Sequence, residues 1–177
     1  MKKADSRPEL YLRFCFFYSF TTSSLPFPVK RKIKKTLGRI ETVSFPELNL
    51  FNIEAKIDTG AYTTALHCHE IEVKTENHKQ ILCARFLDPK HPDYNDLLLC
   101  FPEFKMKSVR NSFGQVEQRY VIKTRIRIGR KTILAFVSLS DRESMRYPVL
   151  IGRKILKGRF LVDVEFRNLS TPYPKTQ

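Results

Sequence analysis

The stretch EAKIDTGAYTTALHCHE, residues 54–70, decides how the rest of this sequence is read. Two alternating runs, EAKID and TALHCHE, flank the tripeptide Asp58-Thr59-Gly60. Period-two alternation marks half-buried strands, so the tripeptide falls where one strand ends and the next has not begun. A carboxylate at the end of an apolar strand is costly unless hydrogen bonds surround it. Asp58 is therefore either a turn-capping residue or a chemical group held in place by its neighbours.

The same alternation recurs on both sides. LGRIETVSF (37–45), FNIEAKID (51–58), TALHCHEIEVK (64–74) and QILCARFL (80–87) read as strands. LLLCFPEF (97–104) is a short apolar run after the loop KHPDYND. RYVIKTRIRIGRKTILAFVSL (119–139) holds two runs around Gly129-Arg130-Lys131, a hairpin signal. Its first run interleaves Val121, Ile126 and Ile128 with Lys123, Arg125 and Arg127, which predicts a cationic sheet face. The only good helix candidate is GRKILKG (152–158), and RFLVDVEF (159–166) reads as a closing strand. Many short strands with one short helix predict an all-β fold, closed or sandwiched.

At 177 residues and 42% hydrophobic, the chain suffices for one domain with a real core and is not globally disordered. Its net charge of +14, from 32 Lys and Arg against 18 Asp and Glu, favours anionic partners: nucleic acid, an acidic membrane surface or acidic peptides. Half of the surplus lies in residues 1–36, where nine basic residues face two acids. With the linker-like SSLPFPVKRKIKK, this divides the chain into a basic extension (1–36), a domain (37–166) and a tail (167–177). LYLRFCFFYSFTTSSLPFP (10–28) has the outline of a signal sequence or membrane-surface anchor. Arg13 interrupts its apolar run and no small-residue cleavage site follows, so it reads as an extension outside the fold. No run is long enough to span a bilayer. Cys15, Cys68, Cys83 and Cys100 form no CxxC pair; buried free thiols in a reducing compartment, the cytoplasm, are the simplest expectation.

Far from Asp58 stands PVLIGRKIL (148–156), in which two apolar residues and Gly152-Arg153 open the helix candidate. Asp-Thr-Gly-Ala paired with a late apolar-apolar-Gly-Arg segment resembles the retropepsins, the single-lobe aspartic proteases. LGRIETVSFPEL, KIDTGAYTTALHCHEIEV, VRNSFGQVEQRYVI, LSDRESMRYPVLIGR and GRFLVDV occur in this order. Together they resemble a bacterial retropepsin-like family that carries the label ATP-dependent zinc protease. That family includes the RimB-type proteins associated with ATP-grasp glutamate ligases. The similarity covers about residues 37–164 and implies a retropepsin-like closed β-barrel with one short C-terminal helix.

What the resemblance implies is specific. Asp58 would be the catalytic carboxylate, Thr59 would hydrogen-bond across a dimer axis, and Gly60 would turn the backbone and aim its N–H at the carboxylate. Ile151 and Gly152 would pack behind the loop and Arg153 would anchor it. Viral retropepsins supply an Asp to that Arg where this chain has Tyr62, so Arg153 needs another acceptor, Asp163 or a backbone carbonyl. Ala61 and a flap-like loop, VRNSFGQVEQRY, with Arg110, Ser112, Gly114 and Arg119, would meet the substrate. Arg125 and Arg127 add charge suited to acidic side chains. The link to glutamate ligation points to glutamate-tailed proteins as substrates.

Aspartic proteolysis needs two carboxylates close enough to share one proton, one taking a proton from water and one donating to the scissile carbonyl. This chain has a single Asp-Thr-Gly, so the second carboxylate must come from an identical subunit across a two-fold axis. The active form is expected to be a homodimer. A zinc site is the competing chemistry: His67 and His69 stand two apart on a strand, but a catalytic zinc commonly takes three protein ligands and there is no HExxH. No Walker sequence is present, and no cofactor is expected. The alternative function is a non-catalytic basic β-domain binding nucleic acid or ribosomal partners, although no aromatic RNA-binding motif is visible.

Overall fold

The computed structural model describes residues 33–110 and 114–170. Cys15, Ser112 and the signal-like segment lie outside the described residues. The strands are Lys35–Gly38 (β1), Ile40–Phe45 (β2), Leu50–Asp58 (β3), Thr64–Glu76 (β4), Lys79–Phe86 (β5), Leu98–Phe101 (β6), Phe104–Arg110 (β7), Val116–Ile128 (β8), Lys131–Ser140 (β9), Val149–Gly152 (β10) and Phe160–Asp163 (β11). One four-residue helix, Arg153–Leu156 (α1), follows β10 directly.

Six of these strands pair in the cyclic order β10-β3-β2-β8-β9-β4, and β4 pairs back to β10, so the sheet closes on itself. The closure expected of a retropepsin-like barrel is thus present. β5 and β6 extend from β4, β7 pairs with β8, and β1 and β11 form a separate parallel pair. Leu37, Phe45, Leu50, Ile53, Leu66, Ile126, Leu139 and Ile151 are among the side chains that fill the interior. On β8, Thr124, Ile126 and Ile128 point inward and Lys123, Arg125 and Arg127 outward, giving the cationic face that the alternation predicts.

β10 lies between two strands that are neighbours in sequence. It runs parallel to β3, with Gly152 opposite Asp58, and antiparallel to β4, with Leu150 opposite Ala65. The chain leaving β3 must therefore cross the end of β10 before it can start β4. The crossing segment is Thr59 to Thr63, so topology alone places the Asp-Thr-Gly loop over Gly152.

The apolar run LLLCFPEF is shared between two strands: Pro102, which lacks an N–H for a ladder, separates β6 from β7. One sequence expectation changes, because Cys83 and Cys100 are not free thiols. They face each other on β5 and β6 and form a disulfide, while Cys68 stays free and buried. The pairing removes the argument for a reducing compartment, because disulfides persist where conditions are oxidising. The bond closes the loop that carries Asp88, His91 and Tyr94. Reduction, or Cys100→Ser, is expected to lower unfolding free energy by about 3 kcal/mol, read from denaturant midpoints with and without reductant. No described helix is long and apolar enough to cross a membrane.

The chain past β11, which the sequence assigns to a tail from residue 167, is held as far as Ser170. Its anchor is Glu41, fully buried on β2. The Glu41 carboxylate accepts the backbone N–H groups of Gly38, Leu169 and Ser170 and the Ser170 hydroxyl. A buried carboxylate is tolerable only with such saturation.

Candidate active site

Asp58 ends β3 half-buried, and its Oδ1 accepts the N–H groups of Gly60 (2.9 Å) and Ala61 (3.0 Å). One oxygen is thereby fixed by the loop itself. Among the described residues no hydrogen bond reaches Oδ2. Gly60 does not use the left-handed backbone region; a side chain there would crowd the carboxylate, with a Cβ 3.2 Å from Oδ1.

Gly152 is required by a different constraint. A Cβ on it would lie 2.4 Å from the Thr63 carbonyl oxygen and 2.9 Å from that of Tyr62, so the loop can cross β10 only over a glycine. The crossing is tied down by three hydrogen bonds. Gly152 N–H donates to Thr64 Oγ1 (3.2 Å), Arg153 N–H to the Ala61 carbonyl (2.8 Å) and Lys154 N–H to the Tyr62 carbonyl (3.2 Å). Ile151, fully buried, packs into the core beneath.

Of the two acceptors open to Arg153, the backbone carbonyl is the one found. Its guanidinium donates to the carbonyls of Gly60 (3.1 Å) and Thr59 (3.5 Å) and lies over the Tyr62 ring, 5.7 Å from the centroid. Tyr62 therefore stacks where an ion pair would otherwise form. Thr59 is exposed at the loop tip.

Of the residues read as meeting the substrate, Ala61 sits in the Asp58 loop, while Arg110 ends β7, Arg119 lies on β8 and Gly114 stands between the two strands. Arg110 is exposed at the end of β7, opposite Val116. Gly114 has φ +84, a conformation that favours glycine. Arg119 is paired to Glu117 through Nε (2.9 Å) and Nη2 (2.6 Å), and Arg125 is paired to Glu47. These two cations thus have acid partners within the chain. Arg142, which the sequence reading passed over, is half-buried; its Nε donates to the Tyr147 carbonyl (3.2 Å). Burial, with help from the nearby charge of Arg119, lowers the pKa of its guanidinium, and the Asp58 charge opposes this. No local sequence signal marks Arg142, because only the fold brings it towards Asp58.

His67 and His69 do not suit a shared metal. A bulge between Cys68 and Glu70 breaks the β4 register, leaving His67 buried and His69 exposed against Tyr94. His67 Nδ1 accepts the Arg142 N–H (2.8 Å), which places the proton of the neutral ring on Nε2. Among the described residues no three metal-binding side chains converge. Burial holds the His67 imidazole below its ordinary 6.5, only partly opposed by the carboxylates of Asp141 and Asp88. Between the folded and unfolded pKa values the unfolded chain binds a proton that the folded one does not. Stability should be full above about pH 6.5 and fall as pH drops through that value towards the folded pKa. Thermal melts from pH 7 to 5 should show a declining midpoint in the parent and a flatter profile in His67→Asn, whose amide oxygen can replace Nδ1.

This geometry has counterparts. The profile of the RimB-like family, described as retropepsin-like aspartic endopeptidase RimB, matches residues 36–172. A protein of Desulfotalea psychrophila named "Probable alpha-L-glutamate ligase" is 30% identical over 131 residues, covering 73% of this chain and 28% of its own length. One of the same name from Parasynechococcus marenigrum is 34% identical over 137 residues, covering 75% and 28%. The chain thus spans little more than a quarter of these relatives. The crystal structure of Lpg0085 from Legionella pneumophila, a protein of unknown function, shares the fold with a TM-score of 0.60 at 23% identity, covering 78% of this chain and all of that one. By the profile match across nearly the whole described region, with β3, β10 and the loop between Asp58 and Thr64 inside it, the chain belongs to the RimB-like family of retropepsin-like proteins.

Proposed function

We propose that the chain is one half of a homodimeric aspartic endopeptidase that cleaves acidic or glutamate-tailed proteins. The observation that carries this reading is the Asp58 loop. One carboxylate oxygen is fixed by two backbone N–H groups, and the loop is braced by Arg153 and by the glycine crossing at Gly152. A loop built so firmly around an aspartate holds that group in a fixed orientation, which is what proton transfer demands.

Two copies meeting at a two-fold axis would put two Asp58 side chains side by side. Carboxylates that close titrate as a pair, sharing one proton over a range of pH. In that state the ionised member takes a proton from the attacking water as the protonated member donates to the peptide carbonyl. The carbon becomes tetrahedral without a covalent bond to the enzyme. Collapse of this intermediate breaks the C–N bond, with the proton taken from water passing to the departing amine. Thr59, at the exposed loop tip, would tie the two loops together. Ala61 and the β7–β8 hairpin, with Arg110, Ser112, Gly114 and Arg119, would border the peptide.

The glutamate-tail specificity draws on two facts: the chain's positive charge and the ligase names of its relatives. An association with an ATP-grasp glutamate ligase belongs to the same proposal. The test is to incubate the purified chain with a protein carrying a C-terminal oligoglutamate extension and follow its mass. Endoproteolytic shortening, with release of glutamate oligomers, that persists in chelator is the expected result. An unchanged mass across pH 4 to 8, under conditions where the chain is folded and dimeric, would refute the reading.

A further inference from the structure

Tyr62, Arg153, Lys154, Lys157 and Arg159 line an open cavity of about 420 Å³ beside the Asp58 loop. Four of the five are cations and none is an acid. The ion pairs found among the described residues include none of these four. The two guanidiniums are partly committed, Arg153 to the carbonyls of Thr59 and Gly60, and Arg159 to those of Lys154 and Ile155. Lys154 and Lys157 are exposed.

The charge continues past the cavity. Lys154 also lines a second, adjoining hollow with Phe136 and Arg159. Its ammonium stands 5.3 Å from the centre of the Phe136 ring, where Lys105 and Lys107 of β7 also converge at 5.6 and 5.9 Å. Three like charges gathered on one ring repel each other, and an exposed ring attracts each of them only weakly. An anionic ligand lying among them would remove that repulsion.

We propose that this track, from Tyr62 through Lys154 to the lysines around Phe136, docks a carboxylate-rich peptide segment that extends beyond the bond being cleaved. Its placement relative to cleavage rests on the Asp58 loop being the peptidase site, because Tyr62 and Arg153 belong to that loop and its brace. The observations favour carboxylates over single-stranded nucleic acid. Nucleic-acid platforms offer free aromatic faces on which bases stack. Here the Tyr62 ring already carries the Arg153 guanidinium at 5.7 Å, and Phe136 carries ammonium groups. What remains on offer is positive charge and N–H donors with no free ring face, which suits carboxylates and would leave a nucleic acid its phosphates alone to engage.

The test uses the full chain carrying Asp58→Asn, so that no probe is consumed, and measures fluorescence anisotropy of a labelled oligoglutamate peptide. The variant Lys154→Glu/Lys157→Glu alters exposed side chains only, and Lys74→Glu/Lys79→Glu on the β4–β5 hairpin is the charge-matched control. Binding is expected to weaken about tenfold or more in the first pair and about twofold or less in the control, as local charge outweighs net charge at this range. Oligoglutamine should not bind. Equal losses in both pairs, no oligoglutamate binding to the parent, or tighter binding of oligouridylate than of oligoglutamate would each overturn the proposal. Docking as described with no cleavage by the wild-type chain would sink the peptidase reading and leave the docking site standing. Cleavage and binding indifferent to Lys154→Glu/Lys157→Glu would do the reverse.

Discussion

Asp58→Asn should abolish hydrolysis of any cleaved substrate, with kcat/KM falling by at least about 10³-fold and the fold intact. Asn keeps the shape and an oxygen able to accept the Gly60 and Ala61 N–H groups that now reach Oδ1. It cannot take a proton from water or share one with a second carboxylate. The loss should therefore appear in kcat while substrate binding persists and the melting curve stays within a degree or two of the parent. Retention of activity in Asp58→Asn would remove the catalytic role from this loop. Loss of activity together with unfolding would instead make Asp58 a turn-capping residue.

Gly152→Ala should damage both stability and activity. The added Cβ meets the Thr63 carbonyl carbon and oxygen at 2.5 and 2.4 Å, and both atoms are backbone. Relief requires lifting the crossing segment off β10, which also strains the bonds of Thr64, Arg153 and Lys154 to it. Forced overpacking of this kind costs about 3 kcal/mol or more. The midpoint of thermal unfolding should fall by roughly 10 °C for a domain of this size. Gly158→Ala is the informative comparison. Gly158 has φ +76 but open space around it, so its substitution should cost only about 1 kcal/mol of backbone strain and leave activity unchanged. Equal behaviour of the two variants would mean that the crossing is not a rigid element.

The parts of the site that were legible in the sequence are those encoded by local spacing. Asp58-Thr59-Gly60 at the end of an alternating run and Leu150-Ile151-Gly152-Arg153 before a short helix gain their meaning as a pair that resembles the retropepsins; the repeated alternation predicts an all-β fold, closed or sandwiched, and the resemblance implies the closure. What was not legible depends on partners that the fold selects. The acceptor for Arg153 was open between Asp163 and a carbonyl, because the answer lies in the path of the loop over β10. Cys83 and Cys100 read as separate thiols, because their pairing is set by the β5–β6 register and by the break at Pro102. His67 and His69 look alike on an alternating strand until the bulge at Cys68 and Glu70 sends them to different surroundings. Glu41 passes as an ordinary exposed acid, although it is fully buried and anchors Leu169 and Ser170. Arg142 carries no local signature at all.

The proposed shared centre has its most direct test in subunit mixing. Wild-type and Asp58→Asn chains are combined at constant total concentration, unfolded and refolded together to scramble partners, and assayed on a cleaved substrate. If each centre needs one Asp58 from each of two copies, activity follows the square of the wild-type fraction, so an equal mixture keeps about a quarter of full activity. A linear decline, with about half of the activity left in the equal mixture, would show that each chain works alone and would contradict the shared centre.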